Sequence, residues 1–501
     1  MLFTTQTFLF FFLPACLLFY YLAYVLEKRG RLAAFFTRCR VTDLVLIAFG
    51  AGFYAWACVD DAVRFFVYIV CVYIGGLILA RLGKDGYALL LTKDTEEGIR
   101  KEKKVGISLL ALFLMLALAL FVLIRYKYSE PFSKLFHFFL GSAGGGSGLA
   151  APLGISFITF STVSYLVDIY KGKAKAGNLL DCALYLSFFP KVISGPIVLW
   201  RDFDGQSREK VVTLGGVSDG VSRLMLGFAK KLILADTFGA LIATATASSI
   251  DTPTVLFVSL LYMLQIYFDF SGYSDIAIGI SSMLGFCMKE NFDFPYLSCS
   301  VTEFWRRWHI SLGTWFREYV YIPLGGNRKG KWRTVLNILI VFFLTGLWHG
   351  VGYAFLLWGL IHGVCNAAEK LLADNTFYQK TPRAVKWILT MLVLFFSWQL
   401  FRLGSITETK NWVLLMLGVH KMENIPYTWR YYMDTRMIVL TVVALLGAAI
   451  PGFSRVRAAR EKIVATPVGY AVTRLLLAAL FAVSILFMVN STYHPFLYFQ
   501  F

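Results

Sequence analysis

The chain has 501 residues, of which 58% are hydrophobic, 17% aromatic and only 16% charged. This composition leaves too little polar surface to cover a water-soluble globule, so it excludes an ordinary soluble enzyme and indicates an integral membrane protein. The formal net charge is +18. Its basic residues collect in alternate short loops, which favours membrane topology and attraction to anionic lipids over nucleic-acid binding.

Apolar windows long enough to cross a hydrocarbon core of roughly 30 Å recur along nearly the whole chain. Such segments must be helices, because open strands would leave backbone groups unpaired in lipid. We predict an all-α polytopic membrane protein with roughly ten to twelve transmembrane helices, forming a single membrane domain over residues 1–501. The first apolar segment, near residues 5–26, lacks a basic start and a cleavage site, which predicts a retained helix.

Orientation follows from the positive-inside rule, which places the basic loops in the cytoplasm and predicts that both termini lie outside. These loops are residues 27–40, 100–104, 171–175, 325–333 and 454–462. The eight cysteines are scattered without CxxC pairs. We interpret them as small buried packing residues, and we predict neither disulfides nor a metal site.

Two carboxylates interrupt the apolar segment "QIYFDFSGYSDIAIGI", residues 265–280. Burying a carboxylate in lipid is costly without a purpose or a partner. For Asp275 we favour a structural ion pair, and for Asp269 the role stays open. The Ser271–Gly272 pair between them predicts a kink or break in the helix.

The segment "TEFWRRWHISLGTWFREYVYIPLGGNR", residues 302–328, is both aromatic and basic. It is too rich in charge for an ordinary span, and we predict an interfacial or re-entrant helix with its aromatic rings at headgroup depth. His309 lies beside Arg306 and Arg307 and is either functional or a structural hydrogen-bonding residue. Arg306, Arg307 and, with the glycines that follow, Arg328 are candidates for holding the phosphates of a nucleotide-bearing donor.

A single imidazole, His349, lies in the uncharged run "FFLTGLWHGVGY", residues 342–353. A histidine within such a run usually faces a cavity or the bundle interior, because lipid satisfies neither ring nitrogen. His349 could be a general base, a proton relay or a packed interhelical hydrogen-bonding residue. We interpret His362, in "WGLIHG", as structural.

Several motifs together resemble the membrane-bound O-acyltransferase family, in its bacterial alginate and peptidoglycan O-acetyltransferase branch. They are "YFDFSGYSDIAIG", "ENFDFPYLSCSVTEFWRRWHISLGTWFREYVYIPLGGNR" and "FLTGLWHG", joined by "PLGISFITFSTVSYLVDIYKG", "FFPKVISGPIV" and "GFAKKLILAD". The similarity covers most of the chain, and the motifs are specific as a set.

The resemblance implies helices around a central funnel, with His349 as the essential catalytic residue and His309 as a second functional histidine. It also implies transfer of an acyl group from a cytoplasmic thioester towards an acceptor outside. A neutral imidazole suits this chemistry, because it can take a proton from a hydroxyl that attacks a thioester carbonyl.

The chain ends in "NSTYHPFLYFQF", and we predict that residues 484–501 form an outward-facing aromatic tail. Such a tail is ordinarily an interfacial anchor. It also resembles a C-terminal motif of this branch and of a partner peptide in teichoic-acid D-alanylation, in which a central Tyr is a proposed acyl carrier. The matching residue here is Tyr498.

These features predict a multi-pass O-acetyltransferase of the bacterial cytoplasmic membrane that supplies acetyl groups to an extracytoplasmic polysaccharide. No bound cofactor is expected, and acetyl-CoA is the expected donor substrate. Final placement on sugar is expected to need a periplasmic or surface partner with a serine-type active site. The alternatives are a transporter or flippase of an acyl or lipid-linked compound, and D-alanyl transfer to teichoic acid.

Overall fold

The computed structural model describes residues 2–29, 40–89, 98–128, 152–193 and 195–490, and within 83–105 it describes only the backbone. Every regular element in these ranges is a helix, which confirms the predicted all-α class. Eight of these helices are long and apolar enough to cross a membrane, and Val41–Ala55 and Ile155–Tyr170 are shorter apolar helices. The polytopic architecture is therefore confirmed, whereas the number of crossings and the central funnel stay predictions.

The chain divides into two compact units, and the prediction of a single domain stays a prediction. Unit 1 comprises Met1–Gly220 and Ile280–Lys289, and unit 2 comprises Val221–Gly279 and Glu290–Phe501. The first helices are a π-helical turn Phe8–Phe12, α1 Leu13–Lys28, α2 Val41–Ala55, α3 Val59–Leu89, α4 Gly98–Lys127, α5 Ile155–Tyr170, α6 Leu179–Ser187, α7 Phe189–Val192, α8 Trp200–Glu209 and α9 Leu214–Phe228.

The remaining helices carry the site and belong to unit 2, apart from the last residues of α11. They are the π segment Ala229–Ala235, α10 Asp236–Thr246, α11 Thr252–Met283, the 3₁₀ turn Pro295–Leu297, α12 Val301–Arg307, α13 Ile310–Phe316, the π turn Arg317–Tyr321, α14 Lys331–His349, α15 Tyr353–Leu372, α16 Thr376–Lys380, α17 Arg383–Leu403, α18 Ile406–Met416, α19 Trp429–Tyr432, α20 Thr435–Ala449, the 3₁₀ turn Ile450–Gly452, α21 Ser454–Val464 and α22 Pro467–Asn490.

Unit 1 contains a buried aromatic core around one lysine. The Nζ atom of Lys191 lies 3.3 Å from the ring centroid of Tyr185 and donates a hydrogen bond to Ser161 Oγ at 3.1 Å. Helix α6 begins with a capping box, in which Asn178 and Asp181 satisfy each other's backbone N–H groups. These contacts fix the short helices that follow α5.

Helix α11 is the central helix of unit 2, and 89% of its most apolar window is buried within the protein. Of the predicted kink or break at Ser271–Gly272, the break is wrong, because α11 continues through both residues, and the kink stays a prediction. Gly272 instead permits a close helix contact, since a Cβ atom there would lie 2.8 Å from the carbonyl oxygen of Gly227. The glycine therefore serves packing against α9 and the π segment.

Both carboxylates of α11 are paired with cations. Asp275 contacts Arg223 Nε and Lys230 Nζ at 2.6 Å each, which confirms its interpretation as a structural ion-pair residue. Asp269 lies 2.5 Å from Lys231 Nζ, which also contacts Asp236 at 2.6 Å. The structure therefore gives Asp269 an ion-pair partner as well.

The interpretation of the cysteines as buried packing residues holds for only part of the set. Among the described residues Cys16 and Cys182 are buried, whereas Cys58, Cys71 and Cys287 are exposed. Composition placed them in apolar segments, but one face of such a segment is directed away from the protein core.

Candidate active site

His349 is the last residue of α14, and only 3% of it is exposed. Its ring packs against three aromatic rings, with centroid distances of 4.6 Å to Trp348, 5.1 Å to Trp358 and 5.1 Å to Phe401. Gly350 adopts an extended conformation immediately afterwards, so the chain turns towards α15 at the histidine. The imidazole thus lies at a helix end, enclosed by aromatic groups.

A glycine-mediated helix crossing determines where His349 lies. A Cβ atom at Gly346 would lie 2.6 Å from the carbonyl oxygen of Phe355, and one at Gly359 would lie 2.5 Å from that of Phe342. Both distances are far below ordinary contact, so α14 and α15 approach each other as closely as their backbones allow. Gly346 is one helical turn before His349.

Gly359→Ala is expected to force α14 and α15 apart, with a loss of about 1–3 kcal/mol in the free energy of unfolding. Displacement of His349 should lower turnover in addition. Thermal unfolding and turnover of the purified variant measure these effects. Gly447→Ala is the matched control, because a Cβ atom there would lie 3.8 Å from Phe268, an ordinary contact. Equal behaviour of the two variants would contradict the tight crossing.

The second predicted histidine, His309, links α12 to α13 and is 1% exposed. Its φ of 45° lies in the left-handed region, which is uncommon for a residue other than glycine. Its Nδ1 atom lies 3.1 Å from Asn291 Oδ1 and 3.4 Å from Ser311 Oγ. Burial lowers the pKa of His309 from its ordinary value to about 3, so the ring is neutral at physiological pH.

The structure brings the two histidines together through one tryptophan. The Trp348 ring lies 4.6 Å from that of His349 and 6.3 Å from that of His309, measured between centroids. Phe270 of α11 packs edge-on against His309 at 4.6 Å. Two histidines that are far apart in sequence therefore belong to one buried aromatic cluster in unit 2.

His362 is held by two hydrogen-bonding contacts. Its Nδ1 atom accepts a hydrogen bond from Trp305 Nε1 at 3.3 Å, and its Nε2 atom lies 3.1 Å from Ser397 Oγ. This arrangement supports the interpretation of His362 as a structural residue.

Residues 302–328 do not form the one continuous interfacial or re-entrant helix that the sequence predicts. The left-handed residue His309 separates α12 from α13, and a π turn follows. Trp308, Trp315 and Phe316 are 1%, 6% and 5% exposed, so these rings are buried within the protein, whereas their depth in the membrane stays a prediction. Trp308, for example, packs against Trp398 at 5.1 Å between centroids.

A cavity of about 710 Å³ lies in unit 2, and its described lining includes Ile310 and Thr345 but neither His309 nor His349. Its lining on α14 runs from Thr334 to Thr345, and Thr345 is one helical turn before His349. The cations in its wall are Arg306, Arg317 and Lys370. Most of the remaining wall is apolar, so the cavity suits a ligand with an anionic end and an uncharged arm.

The acidic residue in the cavity wall is engaged in a helix cap. Glu369 accepts hydrogen bonds from the backbone N–H groups of Val301 at 2.7 Å and Thr302 at 2.8 Å, which satisfies the start of α12. The sequence analysis did not single out this residue. A glutamate that caps a helix 67 residues away in sequence leaves no local signal.

The three arginines suggested for donor binding differ in their positions. Arg306 lines the cavity. Arg307 contacts Glu303 at 2.8 Å and Asp293 at 3.9 Å, and neither it nor Arg328 is among the described lining residues. Arg317, which the sequence analysis did not select, takes a place in the wall. The sequence does not show that the helix breaks at His309, and this break determines which face of α13 and the following turn Arg317 occupies.

Tyr498 and the tail from residue 491 onwards lie outside the described residues, and α22 ends at Asn490. Within the described part of the chain, no group of three or more His, Cys, Asp or Glu residues is arranged to hold a metal ion.

The apolar helices and the buried histidine cluster define a multi-pass membrane protein with polar groups enclosed in its interior. The model of the membrane-bound O-acyltransferase family matches residues 112–407, and the chain belongs to this family. The family and the enzyme class predicted from the motifs are thus confirmed.

The chain is similar to relatives that are named for three different polymers. The probable alginate O-acetylase AlgI of Pseudomonas putida is 35% identical over 523 residues and covers 100% of both chains. The peptidoglycan O-acetyltransferase of Helicobacter pylori is 32% identical over 59% of this chain and 62% of its own. The teichoic acid D-alanyltransferase of Bacillus subtilis is 33% identical over 48% of this chain and 62% of its own.

Proposed function

We propose that this protein transfers acetyl groups from cytoplasmic acetyl-CoA, across the bacterial cytoplasmic membrane, for O-acetylation of an extracytoplasmic polysaccharide. The full-length similarity to a probable alginate O-acetylase and the partial similarity to a peptidoglycan O-acetyltransferase support this choice. The observation that carries it is the mostly apolar cavity with Arg306, Arg317 and Lys370 in its wall, whose lining on α14 ends at Thr345, four residues before His349.

The geometry of α14 supports a donor that enters from the cytoplasm. The helix begins in the basic loop 325–333, which the positive-inside rule assigns to the cytoplasm, and ends at His349. Its 19 residues span about 28 Å, close to the thickness of the hydrocarbon core. Arg306 and Arg317 would bind the donor phosphates, and the apolar wall would hold its uncharged arm.

In this proposal His349 is the general base. It takes the proton of the acceptor hydroxyl while the hydroxyl oxygen attacks the thioester carbonyl, the new ester bond forms, and the C–S bond breaks. The proton then passes to the departing CoA thiolate. His309 takes part as the second functional histidine, and Tyr498 is the first acceptor, from which a partner with a serine nucleophile receives the acetyl group.

Vesicles that contain the purified protein test the proposal, with acetyl-labelled acetyl-CoA on the side of the basic loops and acceptor on the other. We expect label in the acceptor or on the protein, and free CoA on the donor side. Intact labelled donor on the acceptor side would instead identify a transporter. D-alanyl transfer is distinguished by supplying a D-alanyl thioester donor in a parallel reaction.

Arg306→Ala is expected to raise the KM for acetyl-CoA by about tenfold or more with little change in kcat, because a charge-assisted hydrogen bond to phosphate contributes roughly 1.5–3 kcal/mol. Steady-state kinetics with varied donor concentration measures this effect. Arg328→Ala is the control, since Arg328 is an exposed cation of the same region outside the cavity lining. An equal rise in both variants would indicate general electrostatic attraction.

A further inference from the structure

Asn291 is a buried amide, 1% exposed, beside His309. Its Oδ1 atom accepts hydrogen bonds from the backbone N–H of Ser311 at 3.2 Å and from Ser311 Oγ at 2.8 Å, and it lies 3.1 Å from His309 Nδ1. Its Nδ2 atom donates to Ser274 Oγ at 3.0 Å. Every one of these contacts lies within unit 2.

The backbone contact determines which way the amide points. A backbone N–H group can only donate, so the Asn291 atom that faces Ser311 N must be the oxygen. The same oxygen faces His309 Nδ1, and an amide oxygen can only accept. The hydrogen of that contact therefore belongs to Nδ1 of His309.

Neutral imidazole carries a single N–H group. Burial is the cause that keeps the His309 ring neutral, because it holds the pKa of His309 at about 3. With the hydrogen on Nδ1, the Nε2 atom carries the lone pair. His309 is then an acceptor at Nε2 and has no N–H there to donate to a developing oxyanion.

We propose that Asn291 is a positioning residue that holds His309 in the Nδ1–H tautomer, so that His309 acts through Nε2 as a hydrogen-bond acceptor or base in acyl transfer. The functional part of this statement rests on the proposed function, in which His309 takes part in the reaction. The tautomer itself rests on the hydrogen bonds of Asn291 and on the burial of the His309 ring, and not on the proposed function.

Most charged groups on the elements around His309 are engaged in ion pairs, whereas Arg306 of α12 and Arg317, which follows α13, line the cavity. Asp275 pairs with Arg223 and Lys230, Glu290 with Arg223, Asp269 with Lys231, and Asp293 and Glu303 with Arg307. Asp293 also pairs with Arg457, and the Trp348 ring contacts the rings of both His309 and His349. A carboxylate at position 291 would place a negative charge at the oxygen that lies 3.1 Å from His309 Nδ1.

Asn291→Asp retains the size of the side chain and the oxygen that faces Nδ1, but it adds a negative charge about 3 Å from the ring. An adjacent carboxylate favours imidazolium and raises the pKa of histidine. We expect activity near that of the wild type at alkaline pH, falling at least tenfold as the pH drops through the raised pKa. The wild type should show no such loss due to His309 between pH 5 and 8. An unchanged pH profile in an active Asn291→Asp protein would overturn the positioning role.

Asn291→Ala removes the acceptor for Nδ1–H and is expected to lower kcat by about 10- to 100-fold, within the usual contribution of acid–base catalysis, with the KM for acetyl-CoA unchanged. Ser274→Ala is the matched control, because the backbone N–H of Ser311 still orients the Asn291 amide. If the role of Asn291 were purely structural, Asn291→Ala would lower stability, and Asn291→Asp would not lose activity as the pH drops.

Nitrogen NMR of protein labelled at the histidine rings tests the tautomer without any acyl transfer. The chain has six histidines, and the His309 signals are identified by their loss in His309→Asn. We expect a protonated Nδ1 and an unprotonated Nε2 in His309 at pH 7. A protonated Nε2 would refute this inference even if acetyl transfer is confirmed. The expected tautomer in a protein that transfers no acetyl group would instead refute the proposed function.

Discussion

His349→Ala is expected to lower acetyl transfer by roughly 100-fold or more, the usual contribution of a general base. The ring lies at the end of α14, one helical turn beyond the cavity residue Thr345, and in the proposed mechanism the thioester of the donor reaches it from that cavity. Donor binding should persist, because the cations of the cavity wall are unchanged. Turnover and acetyl-CoA binding of the purified variant are the two measurements.

Two further variants separate catalysis from packing at this position. His349 contacts Trp348, Trp358 and Phe401, so truncation to alanine also leaves a cavity among these rings. His349→Gln fills more of this space without a comparable base, and it should be as inactive as His349→Ala. His420→Ala changes an exposed histidine and should have no effect. Substantial activity in His349→Gln would rule out the general-base role.

Tyr498→Phe is expected to abolish polymer acetylation at a normal protein level. A phenol has a pKa of about 10, so Tyr498 is a poor nucleophile unless a base such as His349 removes its proton. Docking of the tail at the site would bury apolar neighbours such as Phe496, Leu497 and Phe499, at about 1.5 to 3 kcal/mol each before entropy is counted. The phenylalanine variant keeps this apolar surface and loses only the hydroxyl.

The tail itself supplies the control for this prediction. Tyr493→Phe removes another phenol five positions earlier and should leave acetylation unchanged. Mass spectrometry of the C-terminal peptide should show acetylated Tyr498 when the acceptor partner is absent. Full polymer acetylation by Tyr498→Phe would indicate that the tail is only an interfacial anchor. It would favour direct transfer from acetyl-CoA at His349.

The membrane-spanning helices could be predicted because hydrophobic length is a local property of the sequence. The structural interpretation of His362 agrees with its two hydrogen-bonding contacts, whereas the catalytic role of His349 came from the family resemblance and stays a prediction. The environment of His309 could not be predicted, because its partner Asn291 is 18 residues away and its left-handed backbone has no glycine to indicate it. Likewise, Ser271–Gly272 resembles a helix break in isolation, and only the approach of Gly227 shows that the glycine is needed for packing.

The cations that neutralise α11 have a consequence for the order of membrane insertion. On its own, α11 would carry Asp269 and Asp275 into lipid, at about 2.5–3.5 kcal/mol for each carboxylate near the centre of a helix. Their partners Arg223, Lys230 and Lys231 are all synthesised earlier. We therefore expect α11 to enter the bilayer as a hairpin with the segment before it, its charges already neutralised when it leaves the translocation channel.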